Sequence, residues 1–552
     1  MPSYNVGIVG AGIAGLYTAL LLQREGHSVH IFEATNRIGG RVYTHYFTAA
    51  ENQYYEAGAM RIPDIESHGV VFSLIKYLNG HKNVPARMDI RLIDYVYRHE
   101  NNDMYFNSST VQGEVMTLTP LTAGWISVPE SYKTKNAGEL LDEAFCGLSH
   151  GENDSFDRAI SRIVREYDHC TFRHFLISVK HWPPSVIDFV EATVFQPNEF
   201  SLSVPEIYMR LQEFKAGKWK TINQGMSRLP EAMAWLVGYQ NITIGAQVTQ
   251  VITLNDKRIR IKAVGHDGII DAEFDRLVLA IPPAALQRIA NRPTWSLEKE
   301  TAIRSLQLEP LYKMGLRFKT RFWEDVSCGG NFGGQTNTDL PIRWLVFPSH
   351  GIGESEPGVL LVYGWMTDAA NWFPLDPIQR RALALECIAK MFQGKRDRTG
   401  AEINVHELLI ESSDTIWSEQ TATGATMFRP GQLTRHFAEA SRPEGNIFFA
   451  GEHLSYHHSW IAGAIHSGIQ AARDLLDINV QPLDPGLLSE NQKGIDLKDI
   501  AKAKFKLNPN ALLNLSFRKN ISECNCPEGS SELIASKGHQ SALGPIVTNL
   551  EA

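Results

Sequence analysis

The sequence contains little cysteine and no recognisable targeting segment, and both absences restrict the class of protein. Only 6 of the 552 residues are cysteine, too few and too scattered for a disulfide scaffold. They match no metal-ligand spacing except the weak pair Cys524 and Cys526, so we predict no metal site. Few thiols without a signal peptide predict a cytoplasmic protein.

Charge of one sign and long apolar runs are also scarce. The chain has 53 lysines and arginines against 61 aspartates and glutamates, a net charge of −8, which argues against nucleic acid as a partner. The apolar run at residues 6–22 contains four glycines and no basic segment precedes it. We therefore predict neither a signal peptide nor a membrane span there. A hydrophobic fraction of 43% in 552 residues predicts two or three folded domains.

Residues 6–33 predict a strand, a glycine turn, a helix and a second strand. Gly10 permits a tight turn, Gly12 lets backbone N–H groups approach a pyrophosphate, and Gly15 lets the helix pack closely on the strand. Glu33 follows Gly15 by 18 residues, where a carboxylate accepts hydrogen bonds from an adenosine ribose. The pattern predicts a Rossmann-like dinucleotide site with the helix N-terminus facing the phosphates.

Two further glycine segments favour FAD over a nicotinamide cofactor. Residues 37–42 (RIGGRV) offer a glycine pair between guanidinium groups, and residues 447–452 (IFFAGE) offer a second close backbone approach. A nicotinamide enzyme needs neither feature. The predicted cofactor-binding residues are Gly10, Gly12, Ile13, Ala14, Gly15, Glu33, Ala34, Gly40, Arg41, Gly58, Ala59, Met60, Arg61, Val248, Glu452, Trp460, Ile461 and Ala462.

On these segments the chain resembles the flavin amine oxidase family over residues 4–480, and residues 333–343 and 359–365 are similar to the L-amino-acid oxidase subgroup. The resemblance implies a glutathione-reductase-type α/β fold with a Rossmann-like FAD-binding domain, a mixed-sheet substrate domain and a helical insertion. We expect the FAD-binding domain at residues 1–54, 218–294 and 431–480, the substrate-binding domain at 55–110 and 295–430, the helical domain at 111–217, and a C-terminal tail at 481–552.

Arg61 is the candidate for recognising a substrate carboxylate, because a guanidinium holds a carboxylate through two parallel hydrogen bonds. The similar stretch in L-amino-acid oxidases carries the carboxylate-binding arginine at this place. The resemblance further implies that Tyr363 hydrogen-bonds the same carboxylate and that Trp460 walls the substrate cage, with the Ser459 carbonyl accepting from the amine. It also implies that Lys313 binds a water near the flavin. The predicted catalytic residues are thus Lys313, Arg61, Tyr363 and Trp460.

Two departures from the family bear on the prediction. The subgroup often has glycine where this chain has Ser459, which suggests a different pocket mouth. Monoamine oxidases link their flavin covalently through a cysteine in the stretch that matches residues 417–427, and this chain has no cysteine there. We therefore predict non-covalent FAD. Those enzymes also carry a C-terminal membrane helix that this sequence does not show.

The predicted reaction is oxidative deamination of an L-amino acid by hydride transfer to FAD, with molecular oxygen as acceptor, giving 2-oxo acid, ammonia and hydrogen peroxide. Three alternatives stay open: an amine or polyamine oxidase, an amino-acid 2-monooxygenase that releases an amide, and an FAD-binding interaction protein without activity. A homodimer or larger oligomer is expected from the size, and the tail is either disordered or an arm that contacts another subunit. The helical region is also expected to contain a catalytic histidine base, and the sequence leaves four candidates open: His150, His169, His174 and His181.

Overall fold

The computed structural model describes residues 3–125, 127–148, 156–327, 329–420 and 424–487, within one compact unit, Met1–Lys502. Cys524, Cys526 and the predicted tail from residue 488 onward lie outside the described residues. In chain order the strands are β1 (Asn5–Val9), β2 (Ser28–Phe32), β3 (Thr44–Tyr46), β4 (Tyr54–Glu56), β5 (Ile62–Pro63), β6 (Leu92–Asp94), β7 (Asp103–Phe106), β8 (Ser109–Gln112), β9 (Trp219–Ile222), β10 (Ile242–Thr243), β11 (Gln247–Thr253), β12 (Ile259–Gly265), β13 (Gly268–Phe274), β14 (Arg276–Leu279), β15 (Leu308–Glu309), β16 (Leu311–Phe318), β17 (Gln335–Asn337), β18 (Trp344–Val346), β19 (Gly358–Trp365), β20 (Leu409–Ile416), β21 (Ala425–Thr426) and β22 (Ile447–Phe449).

The α-helices of the same part are α1 (Ile13–Arg24), α2 (Gly69–Gly80), α3 (Ala137–Phe145), α4 (Phe156–Tyr167), α5 (Phe172–Ser178), α6 (Pro184–Val194), α7 (Val204–Glu213), α8 (Arg228–Val237), α9 (Pro283–Gln287), α10 (Leu297–Ser305), α11 (Met366–Ala370), α12 (Pro377–Phe392), α13 (Val405–Leu408), α14 (Trp417–Gln420), α15 (Ala438–Ser441) and α16 (Ile461–Leu476). Among the described helices, none has the length and apolar character needed to cross a bilayer.

A five-stranded parallel sheet, in the order β10-β2-β1-β14-β22, forms the first half of the architecture. Strand β1 lies at its centre and is buried at four consecutive positions, which explains its unbroken apolar run because both faces of such a sheet are covered. Helix α1 follows β1 directly and packs against α8 and α16. The N-terminus of α1 therefore lies at the carboxyl edge of the sheet, where dinucleotides bind in folds of this kind.

A second five-stranded sheet, in the order β17-β18-β19-β16-β20, is antiparallel throughout. Its central strands β16 and β19 are buried along almost their whole length. Their register places Lys313 directly opposite Tyr363, and directly opposed residues project from the same face of a sheet. The two sheets together confirm the predicted α/β class, with a second sheet that is antiparallel where a mixed one was predicted.

A small antiparallel sheet, β5-β9-β6, is formed by segments that lie between β2 and β10 in the chain, and helices α3 to α7 lie between β8 and β9. Helix α3 begins at a complete capping box, in which the Asn136 side chain accepts from the Glu139 backbone and the Glu139 side chain accepts from the Asn136 backbone. Asparagine followed three residues later by glutamate is a sequence pattern typical of a helix start. Helix α7 begins at Ser203, whose hydroxyl accepts from the Glu206 N–H.

Secondary structure agrees with the sequence prediction along the cofactor region and differs at one place. Residues 242–244, 247–252, 258–263 and 276–283 have the sequence pattern of strands, and the structure forms β10, β11, β12 and β14 there, with β14 ending at Leu279. Residues 69–80 form helix α2, although residues 55–110 mix strand-like and polar stretches in the sequence. Its buried residues Val71, Leu74, Ile75 and Leu78 follow the three- and four-residue spacing of a helix face. The domain boundaries given above stay predictions.

Candidate active site

A long cavity extends from the glycine turn after β1 to the face of the second sheet that carries Lys313 and Tyr363. It contains about 1650 Å³ of space not filled by protein atoms, its open mouth included. The predicted site residues that line it are Gly10, Gly12, Ile13, Ala14, Glu33, Ala34, Gly40, Arg41, Gly58, Ala59, Val248, Lys313, Tyr363, Glu452, Ser459, Trp460 and Ile461. Gly15, Met60, Arg61 and Ala462 do not line it.

The three glycines at the start of α1 have different neighbours. A Cβ on Gly10, whose φ is +102°, would lie 2.6 Å from the Ala280 carbonyl oxygen, and a Cβ on Gly15 would lie 2.0 Å from the Gly10 carbonyl oxygen. These two glycines are required by the protein's own packing. A Cβ on Gly12 would meet no protein atom nearer than 3.9 Å, the Cα of Gly40. The space at Gly12 is therefore left open at the helix N-terminus, as an anion site requires.

Two carboxylates of the cavity wall are already hydrogen-bonded to the protein. Glu33 accepts from the Ala11 N–H at 2.8 Å and from the Thr35 N–H at 2.9 Å, which fixes its direction while lone pairs remain for a ribose. Glu452 accepts from the Arg41 guanidinium at 3.0 Å and from the Ser459 N–H at 2.8 Å. Burial alone would raise the pKa of Glu452, but Arg41, nearby histidines and the Ser459 N–H lower it to about 2. Glu452 thus fixes Arg41 and Ser459 in the cavity wall.

Lys313 is a buried amine at the cavity wall. Its Nζ donates to the carbonyl oxygens of Glu56 and Gly58 at 3.1 and 2.5 Å, and lies 4.6 Å from the centroid of the Tyr363 ring. Burial lowers the pKa of Lys313 to about 7, against the opposing effect of the Glu56 carboxylate. Burial also raises the pKa of Glu56 to about 7. An amine whose pKa lies near neutrality can both accept and return a proton there.

Replacing Lys313 by methionine is expected to change how stability depends on pH. The pKa of Lys313 is about 7 in the folded protein and 10.5 in a free lysine. Between pH 7 and pH 10.5 the unfolded chain therefore binds more protons than the folded protein. The free energy of unfolding of the wild type consequently rises with pH across this range. Lys313→Met removes this rise, so the wild type should gain a few kcal/mol relative to the variant between pH 7 and 10. Urea unfolding at several pH values measures the difference. Lys82→Met, at an exposed position, is the control, and a pH-independent difference for Lys313→Met would contradict the burial argument.

Arg61 is buried in an aromatic cage. Its side chain is 8% exposed, and its guanidinium carbon lies 4.9 to 5.8 Å from the centroids of four rings, those of Tyr95, Tyr97, Phe214 and Trp219. Within the described part of the chain, its Nη1 has no hydrogen-bond partner and no carboxylate pairs with it. The ring faces stabilise a cation, but a buried guanidinium with a free N–H still needs an anion.

Trp460 connects this cage to the cavity. Its ring lies 5.8 Å from Phe214 and 6.0 Å from Trp219, and it meets His68 edge-on at 5.1 Å. Trp460 lines the cavity and Arg61 does not, although both residues are near the rings of Phe214 and Trp219. Burial raises the pKa of Tyr363, so that its phenol stays protonated and can donate a hydrogen bond.

Helix α7 holds the loop that presents Trp460. Glu206 bonds to His458 Nδ1 at 2.8 Å and Glu213 bonds to His457 Nδ1 at 2.6 Å, so carboxylates two helical turns apart hold neighbouring histidines. Ser459 has a φ of +72°, a conformation that glycine adopts more easily than serine. This explains in physical terms why glycine suits this position.

Several residues of this region are not found by sequence reasoning. They are the cage residues Tyr95, Tyr97, Phe214 and Trp219, and the carboxylates Glu56, Glu206 and Glu213. Two sequence features give only a weak signal for these residues. One is the alternation of Tyr95 and Tyr97, and the other is the seven-residue spacing of the two α7 glutamates. The proposed histidine base gains no support, because His169, His174 and His181 are exposed and do not line the cavity. His150 lies outside the described residues.

Comparisons with known proteins agree with this geometry. A family model described as flavin containing amine oxidoreductase matches residues 13–476. A Dictyostelium discoideum protein named "putative bifunctional amine oxidase" is 29% identical over 502 residues, 86% of this chain and 46% of that protein, so the chain spans about half of that relative. The L-amino-acid oxidase of Vipera ammodytes ammodytes is 28% identical over 478 residues, 85% of this chain and 92% of that protein.

The fold is also similar to that of a putrescine oxidase bound to putrescine, with a TM-score of 0.65, 19% identity, and coverage of 86% of this chain and 100% of that one. At this identity the likeness concerns the fold alone. The family match covers residues 13–476, most of the chain, and includes helix α1, most of the cavity lining and the whole second sheet. The cavity residues fit a flavin dinucleotide, because Gly12 leaves the required space at the α1 N-terminus. The chain therefore belongs to the flavin-containing amine oxidoreductases.

Proposed function

We propose that this chain oxidises L-amino acids with non-covalently bound FAD and oxygen, and that it releases 2-oxo acid, ammonia and hydrogen peroxide. The observation that carries the proposal is Arg61, a buried guanidinium with a free Nη1 and no carboxylate partner in the described part of the chain. An amino-acid substrate brings the missing anion, whereas a simple amine does not. Arg61 therefore favours the amino acid over the amine.

Substrate binding follows from the groups near Trp460. Arg61 holds the carboxylate by two charge-assisted hydrogen bonds, and the protonated phenol of Tyr363 donates to it as well. Trp460 closes the side of the site, and the carbonyl of Ser459 accepts from the substrate amine. Fixing both ends of the zwitterion orients its Cα–H bond and removes rotational freedom before reaction.

The protein's remaining tasks are cofactor placement and proton transfer. FAD accepts the hydride when bound, and Gly12, Glu33 and Arg41 are the residues that would hold its dinucleotide part. Lys313 binds a water through Nζ and exchanges a proton with it, which its pKa of about 7 permits near neutral pH. Non-covalent binding is supported because no cysteine lines the cavity among the described residues.

A second function is oxidation of an amine or polyamine, since the family match alone does not distinguish an amine from an amino acid. A third, the 2-monooxygenase reaction, uses the same substrate and oxygen but releases an amide, CO2 and water in place of 2-oxo acid, ammonia and hydrogen peroxide. These three functions predict different substrates or products. They can therefore be separated without any variant of the protein.

A substrate panel tests the proposal. L-amino acids should exceed the amines that lack their carboxylate by about 10²-fold or more in kcat/KM, because an unpaired buried donor strongly disfavours the shorter ligand. Hydrogen peroxide and 2-oxo acid should form in equal amounts, measured in the same reaction, with D-amino acids as the stereochemical control. Faster oxidation of the amines would establish the second function, and an amide product would establish the third.

A further inference from the structure

A compact group of two histidines and a glutamate lies next to the aromatic cage around Arg61. His68 Nε2 and His457 Nδ1 each lie 2.6 Å from a carboxylate oxygen of Glu213, one histidine on each oxygen. The three ligand-type atoms lie within 4.8 Å of one another. Among the described residues, this is the one cluster of three histidine, cysteine or acidic side chains with such spacing.

The three side chains come from separate parts of the chain that the fold fixes independently. His68 precedes α2, Glu213 is the last residue of α7, and His457 precedes α16. Their side chains are 1%, 4% and 11% exposed, so the group is shielded from water but can be reached from the His457 side. His457 also stacks on Phe156, which limits the movement of its ring.

We propose that His68, Glu213 and His457 bind a divalent metal ion, with Zn²⁺ as the ion that suits them. Two imidazole nitrogens and one carboxylate form a common zinc donor set, which leaves a fourth position for water. Tetrahedral zinc ligands at about 2.1 Å lie about 3.4 Å apart. The two histidine–glutamate pairs, now at 2.6 Å, need to open by about 0.8 Å, and the widest pair of ligand atoms needs to close by about 1.4 Å at most. Small rotations of the side chains supply this movement.

The position of the group gives the metal a second effect. His68 meets the ring of Trp460 edge-on at 5.1 Å, and Glu213 precedes Phe214, a member of the Arg61 cage. A bound ion replaces the hydrogen bonds between these three side chains with coordination bonds of fixed geometry. The metal therefore holds α7 and the Trp460 loop together at the edge of the substrate site. The proposal is independent of which substrate is oxidised.

The experiment is a titration of untagged, chelator-treated, flavin-loaded protein with Zn²⁺. One ion per chain should bind with a Kd of about 1 μM or lower in calorimetry, and Co²⁺ at the same site should give visible absorption at longer wavelength than the flavin. Glu213→Gln and His457→Ala should each weaken binding at least about tenfold, since even outer partners of a metal site contribute that much. His406→Ala, at an exposed histidine, should bind as the wild type does.

Two results would overturn the metal site. If the wild type binds no stoichiometric Zn²⁺, or if Glu213→Gln and His457→Ala bind as tightly as the wild type, the group is a hydrogen-bonded network only. Unchanged flavin absorption and circular dichroism of each variant show that the fold is intact. Because binding is measured without turnover, failure here leaves the amino-acid oxidase proposal untouched, and failure of that proposal leaves the metal site untouched.

Discussion

Arg61→Met should lower kcat/KM for L-amino acids by about 10²- to 10³-fold, because it removes the one cation that the cage offers to a carboxylate. Truncating one partner of a buried, hydrogen-bonded charge pair costs about 2–5 kcal/mol, and each 1.4 kcal/mol is about tenfold in rate. The same substitution should leave oxidation of the corresponding amine unchanged or faster, since amines gain nothing from the guanidinium. Steady-state kinetics on matched amino acid and amine pairs measure both effects.

Arg61→Lys gives a sharper test of geometry. Lysine keeps the positive charge but loses the planar pair of N–H donors, so its kcat/KM should fall between those of the wild type and Arg61→Met. Arg165→Met is the matched control, because the Arg165 side chain on α4 is 75% exposed and is paired with Glu166 rather than with the cage rings. Equal amino-acid turnover by Arg61→Met and the wild type would show that another group binds the carboxylate.

Gly12→Ala should weaken flavin binding without unfolding the protein. The added methyl group meets no protein atom nearer than 3.9 Å, so the fold tolerates it, but it occupies the space through which backbone N–H groups reach the pyrophosphate. Overpacking a close contact costs about 1–3 kcal/mol, which corresponds to a Kd about 5- to 150-fold higher. The ratio of flavin to protein absorbance after purification, and FAD titration of the stripped protein, measure the loss.

Gly15→Ala provides the contrast. Its methyl group would lie 2.0 Å from the Gly10 carbonyl oxygen, so this variant should lose thermal stability even without flavin. Gly69→Ala, with no atom within 4 Å of the added Cβ, should resemble the wild type in both measurements. If Gly12→Ala retains full flavin, the open space at the α1 N-terminus is not the phosphate site.

The cofactor region could be predicted from the sequence because its signals are local. The glycine turn, the two flanking strands and Glu33 lie within thirty residues. Sequence patterns over this short range are therefore sufficient to predict a dinucleotide site there. Lys313 and Tyr363 lie opposite each other on β16 and β19 and line the cavity, while the roles that the resemblance implies for them stay predictions. Helix α2 was not predicted from the sequence, because its apolar residues are interspersed with polar ones in a region of short strands.

The aromatic cage around Arg61 could not be predicted from the sequence, because contacts between distant parts of the chain form it. Tyr97, Phe214 and Trp219 surround Arg61 only after β9 pairs with both β5 and β6. The α7 glutamates are similar, since nothing near them in the sequence indicates that they bond to His457 and His458. Composition and periodicity predict that a glutamate lies on a helix, but not which distant side chain it contacts.

Lys313 and Tyr363 are directly opposed on neighbouring strands, and this pairing limits where this half of the chain can change in length. Side chains alternate between the faces of a strand, so inserting or deleting one residue before Lys313 within β16 would turn its amine away from the cavity and bring a neighbouring apolar side chain into it. Relatives that differ in length here must therefore place their insertions in the connections between strands, such as residues 319–334 and 347–357.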